Sequence, residues 1–357
     1  MFSQMSKSAN SKAHIQWLDA LRFLAAITVV TSHVRGQIFV EFGALEDTSR
    51  NLATALFFAV TRLGHEAVIV FFVLSGYFVG GKAFEAIRSG RFDINVYIID
   101  RATRLWVPLV PVLIISCIGT LITTEVVVNF FGNVLGLQTV IVPVFSGNGP
   151  LWSLAYEQWF YIVPITIALL SAGTLGRIIA LVLGAAVAAV FLALQMHYLL
   201  IWLIGAATWS LRMHSSWRGN LWIGSALIAF SCGVLQLQSD GVLSVLPANE
   251  LVRITFEIAL ALGTALLIAP LSSLKSNWLS LSLSLMAASS YTLYLAHYPF
   301  LFFVMRFLEV EASVNLASLF KFFVVTVLCI IYLTIQYNLF EKHTPIVRRI
   351  IKERLLK

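Results

Sequence analysis

Apolar stretches about 17 to 25 residues long recur along the whole sequence. A helix of that length spans the hydrocarbon core of a lipid bilayer. Of the 357 residues, 59% are hydrophobic and 11% are charged. A soluble domain carries roughly 25% charged residues, so this composition excludes that class. The sequence therefore predicts an all-α integral membrane protein.

The apolar stretches predict a bundle of about ten transmembrane helices, with no internal repeat. They lie near residues 17–38, 65–81, 106–124, 151–171, 178–194, 196–211, 221–238, 251–270, 286–306 and 316–340. Residues 51–62 are amphipathic and predict a further short helix before the second span. The chain then divides into a cytoplasmic N-terminal segment (1–16), a transmembrane domain (17–340) and a basic cytoplasmic tail (341–357).

The lysines and arginines predict the orientation of the bundle, because cytoplasmic loops retain them. With the N-terminus inside, all but six of the 24 basic residues fall on cytoplasmic segments or at the start of the first span. The six exceptions are Arg35, Arg50, Arg62, Arg253, Arg306 and Lys321. Both termini are therefore predicted to be cytoplasmic. Membrane topology and anionic lipid account for the formal charge of +7, and nucleic-acid binding is not expected.

Three ionisable residues interrupt the first span, "WLDALRFLAAITVVTSHVRG", residues 17–36. Such groups are costly in lipid and normally face a cavity lined by protein. At about 100° and 1.5 Å per residue, Asp19, Arg22 and His33 share one face, with His33 about 16 Å from Arg22 and about 21 Å from Asp19. Asp19 is thus too far from His33 for a compact triad. The face resembles the wall of a long slot; a satisfied core histidine is the alternative for His33.

A glutamate lies in the stretch "GPLWSLAYEQWFY", residues 149–161. Helical rise places Glu157 about 10 Å below the outer surface, at a depth similar to that of His33. The two side chains could meet there and share or relay a proton. Alternatively, Glu157 caps a neighbouring helix or bonds to Trp152 or Tyr161, and spacing does not decide between these possibilities.

Two arginines stand three residues apart in "DRATRLWVP", residues 100–108, at the cytoplasmic entrance to the third span. Residues at i and i+3 share a helix face, and paired guanidinium groups suit phosphate binding. Arg101 and Arg104 are therefore candidates for binding a phosphorylated ligand. Ordinary interfacial anchoring of a span is the alternative.

Tyrosines and a histidine recur in "SSYTLYLAHYPF", residues 289–300. Tyr291, Tyr294 and His297 fall at i, i+3 and i+6, roughly on one face, and Pro299 is expected to kink the helix. Helix packing with interfacial aromatic residues is the favoured alternative.

The three cysteines lack motif spacing, so neither a disulfide framework nor a metal site is predicted.

Together these stretches resemble the membrane-bound acyltransferase 3 family, bacterial O-acyltransferases of surface polysaccharides and related acceptors. The matching segments are "LDALRFLAAITVVTSH", "FFVLSGY" at 71–77, "RATR" at 101–104, "WSLAYEQWFY", "YTLYLAHYP" and "FEKHTP" at 340–345. The first of them aligns Asp19, Arg22 and His33 with recurring family positions. The chain departs from the pattern at Ala20, where a glycine is common, and at His65 and Glu66, where small residues are frequent.

The resemblance implies transfer of an acyl group, expected to be acetyl with succinyl as an alternative, from cytoplasmic acyl-CoA to a hydroxyl of a carbohydrate or glycoconjugate acceptor outside. It implies a multi-pass protein of the bacterial inner membrane that uses no metal. His33 would be the general base, and whether transfer is direct or through an acyl-enzyme stays open. The other expected catalytic residues are Glu157 and Asp19. The expected coenzyme-binding residues are Arg22, Arg101, Arg104 and Ser75, with Gly76 leaving room for the pantetheine arm. The expected acceptor-binding residues are Trp152, Ser153, Tyr291, Tyr294 and His297.

A proton-coupled transporter or flippase of a glycoconjugate or small solute is the alternative function. Buried histidine, aspartate and glutamate side chains also build proton relays in such proteins. Transporters often contain inverted repeats with broken helices at matching positions of two halves. The sequence shows no such symmetry.

Overall fold

The computed structural model describes residues 16–118, 121–211, 219–238, 249–273 and 288–356. In these ranges the chain forms helices and loops, and β-pairing is limited to isolated bridges. The helices are α1 (Gln16–Ile38), α2 (Leu52–Thr61), α3 (Gly64–Ser75), α4 (Lys82–Arg88), α5 (Ile94–Ser116), α6 (Thr124–Val134), α7 (Trp152–Leu169), α8 (Gly173–Ala193), α9 (Met196–Leu211), α10 (Gly219–Gln238), α11 (Glu250–Ser273), α12 (Ser290–Val304), α13 (Leu316–Leu339) and α14 (Thr344–Leu355). A π-helical segment, Gly76–Gly81, joins α3 to α4.

Six helical segments of the described chain are long and apolar enough to cross a membrane, which confirms the all-helical, multi-pass character. They are Trp17–Ile38, Leu52–Arg88, Gly173–Ala193, Asn220–Gln238, Glu250–Ser272 and Leu316–Leu355. A helix also lies in each of the other predicted stretches. The count of ten spans and the orientation of the termini stay predictions, and residues 1–15 lie outside the described ranges.

Side-chain caps explain where several helices begin. Asn51 accepts a hydrogen bond from the Thr54 amide at 3.1 Å, so the short helix predicted at 51–62 forms as α2. Asp93 likewise accepts from the Val96 amide at 3.0 Å. Because of this cap, α5 begins at Ile94, well before the predicted start at residue 106, and the Arg101 and Arg104 pair lies inside the helix.

The first of two compact units comprises Met1–Leu74 and Leu211–Tyr332. In it α1 packs against α12, α11 and α2, and α10 packs along α11. A Cβ atom on Gly224 would lie 2.8 Å from the carbonyl oxygen of Gly263, so these two glycines allow α10 and α11 to approach closely. Fully buried apolar side chains of α1 and α12, such as Val30 and Leu295, form part of its core.

The second unit comprises Ser75–Ser210 and Leu333–Lys357. In it α7 packs on α8 and α5, and α14 packs on α5, so the predicted basic tail contains a packed helix. A Cβ atom on Gly76 would lie 1.9 Å from the carbonyl oxygen of Trp202. The space beside Gly76, expected to accommodate a pantetheine arm, is therefore occupied by the backbone of α9.

Candidate functional site

Two histidine rings meet in the first unit, where α1 packs against α12. The ring centroids of His33 and His297 are 5.1 Å apart, and the Tyr298 ring lies edge-on to His33 at 5.5 Å. His297 is fully buried, and its Nδ1 lies 2.9 Å from the carbonyl oxygen of Leu293. A carbonyl oxygen only accepts hydrogen bonds, so Nδ1 carries the proton. In the neutral ring, Nε2 is then an acceptor, and no described residue donates a hydrogen bond to this buried atom.

Gln37 extends the histidine face of α1. It lies one helical turn beyond His33, and its side-chain amide donates to the Tyr298 hydroxyl at 3.3 Å. The Tyr294 ring lies 6.1 Å from His297, and Tyr291 is buried on the same helix. On the predicted acceptor-binding face of α12, His297 therefore contacts His33, and Tyr294 lies beside His297.

Asp19 and Arg22 lie at the other end of α1. Arg22 Nη1 is 3.8 Å from Asp19 Oδ1, as their i, i+3 spacing predicts. The helix is continuous from Gln16 to Ile38, so its rise separates Arg22 from His33 by about 16 Å. Asp19 therefore contacts Arg22 rather than His33.

In the second unit, one chain of contacts links the glutamate and arginine motifs. The Tyr161 hydroxyl donates to the Glu157 carboxylate, which is one of the alternatives left open by spacing. The Arg101 guanidinium lies 5.5 Å from the Tyr161 ring centroid and 5.9 Å from that of Tyr97. Its Nε is buried, and within the part of the chain that the structure describes it has no acceptor. Burial raises the pKa of the Tyr97 hydroxyl, so this group stays protonated at neutral pH.

Further charged residues surround the arginine motif. Arg104 forms an ion pair with Glu341, whose side chain is buried. Asp100 lies 3.3 Å from Arg348 Nε and 2.7 Å from Lys352 Nζ, and both of these cations belong to α14. We call Arg101, Arg104, Arg348 and Lys352 the basic cluster.

The remaining predicted residues of the second unit pack among aromatic rings. Trp152 lies 5.7 Å from the rings of both Tyr156 and Tyr198, and Ser153 is buried. The indole of Trp202 donates to the Ser75 hydroxyl at 3.3 Å. These contacts show where the side chains lie, and their predicted roles in coenzyme and acceptor binding stay predictions.

Some predicted partners belong to different units and some contacts were not anticipated. His33 is in the first unit and Glu157 in the second, so their pairing stays a prediction. No role was predicted from sequence for Gln37, Tyr298, Glu341, Arg348 or Lys352. Glu341 lies in the segment "FEKHTP", which matches the family, but nothing in that segment indicated Glu341 as a partner of Arg104. Among the described residues, no group of three or more His, Cys, Asp or Glu side chains is placed to hold a metal ion.

Comparisons with known proteins identify relatives of the chain. The acyltransferase 3 family model, described as an acyltransferase domain, matches residues 15–335. The chain is 31% identical over 153 residues to O-acetyltransferase PaAT-1 of Phomopsis amygdali, covering 41% of this chain. It spans 29% of the length of that relative. No solved structure matches the chain.

Proposed function

This chain belongs to the acyltransferase 3 family, and we propose that it transfers an acyl group from acyl-CoA to a hydroxyl of a carbohydrate acceptor. It is a membrane O-acyltransferase, and the transporter alternative is left without support. Acetyl is the proposed acyl group, in line with the O-acetyltransferase relative. The proposed location is the bacterial inner membrane, from the resemblance to bacterial members.

His33 is the proposed general base, and its contact with His297 carries this assignment. Burying an unpaired charge is costly, so His297 is neutral and offers Nε2 as an acceptor. If one ring nitrogen of His33 donates a hydrogen bond to His297 Nε2, the other ring nitrogen of a neutral His33 is unprotonated. That second nitrogen can then accept a proton as a base. His297 is thus proposed as a positioning residue as well as part of the acceptor-binding face.

The proposed reaction is direct. As the acceptor oxygen attacks the thioester carbonyl carbon, His33 takes the hydroxyl proton and an ester C–O bond forms. The C–S bond then breaks, and His33 returns the proton to the departing coenzyme A thiolate. Positioned proton transfer of this kind contributes about 100- to 10,000-fold to rate.

The basic cluster is the proposed site for the coenzyme A phosphates. Arg101 has a buried Nε without an acceptor, and a planar guanidinium suits phosphate oxygens. Arg104 is held by Glu341, so it would contribute charge while remaining paired. The rest of the donor is proposed to contact Ser75 and Arg22, which Asp19 orients.

Glu157 is proposed to act through Tyr161. The acceptor is proposed to bind to Trp152, Ser153, Tyr291 and Tyr294.

Transfer of labelled acetyl groups tests the proposal. Proteoliposomes containing the full chain receive radiolabelled acetyl-CoA and a polysaccharide acceptor, and ester formation is measured. His33→Ala should lower kcat by about 100-fold or more, as expected for loss of a general base. His197→Ala is the matched control, because His197 has no role in the proposed reaction. A folded His33→Ala protein that acylates at the wild-type rate would refute the assignment.

A further inference from the structure

A second face of α1 carries an arginine that the proposed reaction does not use. Arg35 is two residues beyond His33, about 200° around the helix, and it shares its face with Ser32 at i, i+3. A Cβ atom on Gly64 would lie 2.7 Å from Ser32 Oγ, so the start of α3 packs against this face. Arg62, two residues before Gly64, therefore belongs to the turn that approaches this face.

Arg35 is buried without enough acceptors. Its exposed fraction is 4%, and its Cζ lies 4.9 Å from the centroid of the Phe58 ring. Nε and Nη1 are both buried, and neither has a hydrogen-bond partner among the described residues. A carboxylate oxygen of Glu41 is 3.6 Å from Nη1, which is too long for a hydrogen bond. Glu41 is also half exposed, so water screens its charge.

Arg62 adds a second guanidinium to the same place. Its Nη1 is likewise buried, and no described residue accepts a hydrogen bond from it. Arg62 follows Phe58 by one helical turn, and the Phe58 ring lies against Arg35, so both arginines belong to the contact between α1 and the end of α2. Two like charges with three buried N–H donors that no described residue satisfies make a costly arrangement, and an anion between them would lower that cost.

A neighbouring charged group in the same unit behaves differently. Glu257 is fully buried, and its Oε1 lies 2.8 Å from both Arg253 Nη1 and His65 Nε2. That carboxylate is paired with Arg253 and contacts His65, and so links α11 to α3. Arg35 and Arg62 differ from it, because buried donors of both have no acceptor among the described residues.

We propose that Arg35 and Arg62 bind an oxyanion, a carboxylate or phosphate, carried by the acceptor. The identity of the occupant rests on the proposed function. A guanidinium presents parallel N–H donors that match two oxygens of either group. Since Arg35 and His33 face different sides of α1, the acid belongs on a part of the acceptor away from the reacting hydroxyl. The enzyme would thereby select acidic over neutral acceptors.

Binding without an acyl donor tests this site independently of catalysis. The full chain in phosphatidylcholine nanodiscs is titrated with methyl glucoside, methyl glucuronide and methyl glucoside 6-phosphate. At least one acidic glycoside should bind about tenfold or more tightly than the neutral one, as expected for a hydrogen bond between charged groups. Arg35→Gln and Arg62→Gln should each remove most of that preference. Arg306→Gln, which alters an exposed arginine over the Phe302 ring, should leave it unchanged.

Separate outcomes distinguish failure of the site from failure of the proposed function. The preference should persist in His33→Ala, because no acyl transfer is measured. Retained binding of the neutral glycoside shows that a variant is folded, and Arg62→Gln supplies the test if Arg35→Gln fails to fold. Equal binding of all three glycosides, or a preference that survives both arginine substitutions, overturns the proposal. Arg35-dependent thermal stabilisation by phosphatidylglycerol alone also overturns it, because a lipid headgroup would then be the occupant.

Discussion

The histidine pair of the first unit and the basic cluster of the second use different interactions. His33 and His297 meet through their rings, with a hydrogen bond to a backbone carbonyl fixing one of them. Arg104, Arg348 and Lys352 are instead held by the carboxylates of Glu341 and Asp100. A neutral, buried surrounding suits proton movement, whereas gathered cations suit binding of a polyanion. Changes in the first region should therefore alter kcat, and changes in the second the donor KM.

Of the three variants that test this contrast, Arg101→Gln should have the largest effect. Loss of a hydrogen bond to a charged group costs about 1.5 to 3 kcal/mol, so the KM for acyl-CoA should rise roughly 10- to 100-fold. The kcat should change little. Steady-state kinetics with varied acetyl-CoA measure both. Arg177→Gln, which alters an exposed arginine near the start of α8, is the control. A fall in kcat at constant KM would contradict the division between regions.

His297→Gln should lower kcat by up to about tenfold while the KM for acyl-CoA stays the same. The hydrogen bond proposed between His33 and His297 would join neutral groups and contribute about 0.5 to 1.5 kcal/mol, and glutamine would not hold the His33 ring in the same way. The pH dependence of kcat should shift as well, because His33 would lose the neighbour that is proposed to fix its tautomer. His197→Gln is the matched control. An unchanged pH profile would mean that His297 packs against His33 without positioning it.

Gln37→Leu should have the smallest effect, a decrease in kcat of about two- to fivefold. Its hydrogen bond to Tyr298 is long and lies in a partly exposed position, where such bonds contribute little. Single-turnover acetyl transfer measures the change. A loss as large as that expected for His33→Ala would mean that Gln37 contacts the reacting groups, and the histidine pair would no longer be the centre of this region.

Local features of the fold followed directly from sequence. The apolar stretches predicted the helices, and the amphipathic segment after Asn51 predicted α2. Within one helix, spacing placed Asp19 and Arg22 on one face, where the structure has them in contact, and offered the bond from Tyr161 to Glu157 as an alternative. These contacts depend on helical geometry alone, which residue numbers determine.

Contacts between distant helices could not be predicted in the same way. Arg104 and Glu341 are 237 residues apart, and Tyr298 lies 261 residues from Gln37. Such pairs depend on which helices pack together and on their rotation, and a single sequence specifies neither. Gly76 shows the same limit, because its small size predicted open space whereas the structure fills that space with Trp202.

The packing of α14 has a practical consequence for experiments on this enzyme. Arg348 and Lys352 hold Asp100, the residue directly before Arg101, from a helix that ends at Leu355. An affinity label or fluorescent protein joined after Lys357 would therefore be anchored next to the proposed coenzyme site. Weak donor binding by such a fusion would reflect the attachment point as much as the enzyme, so labels belong at the other terminus.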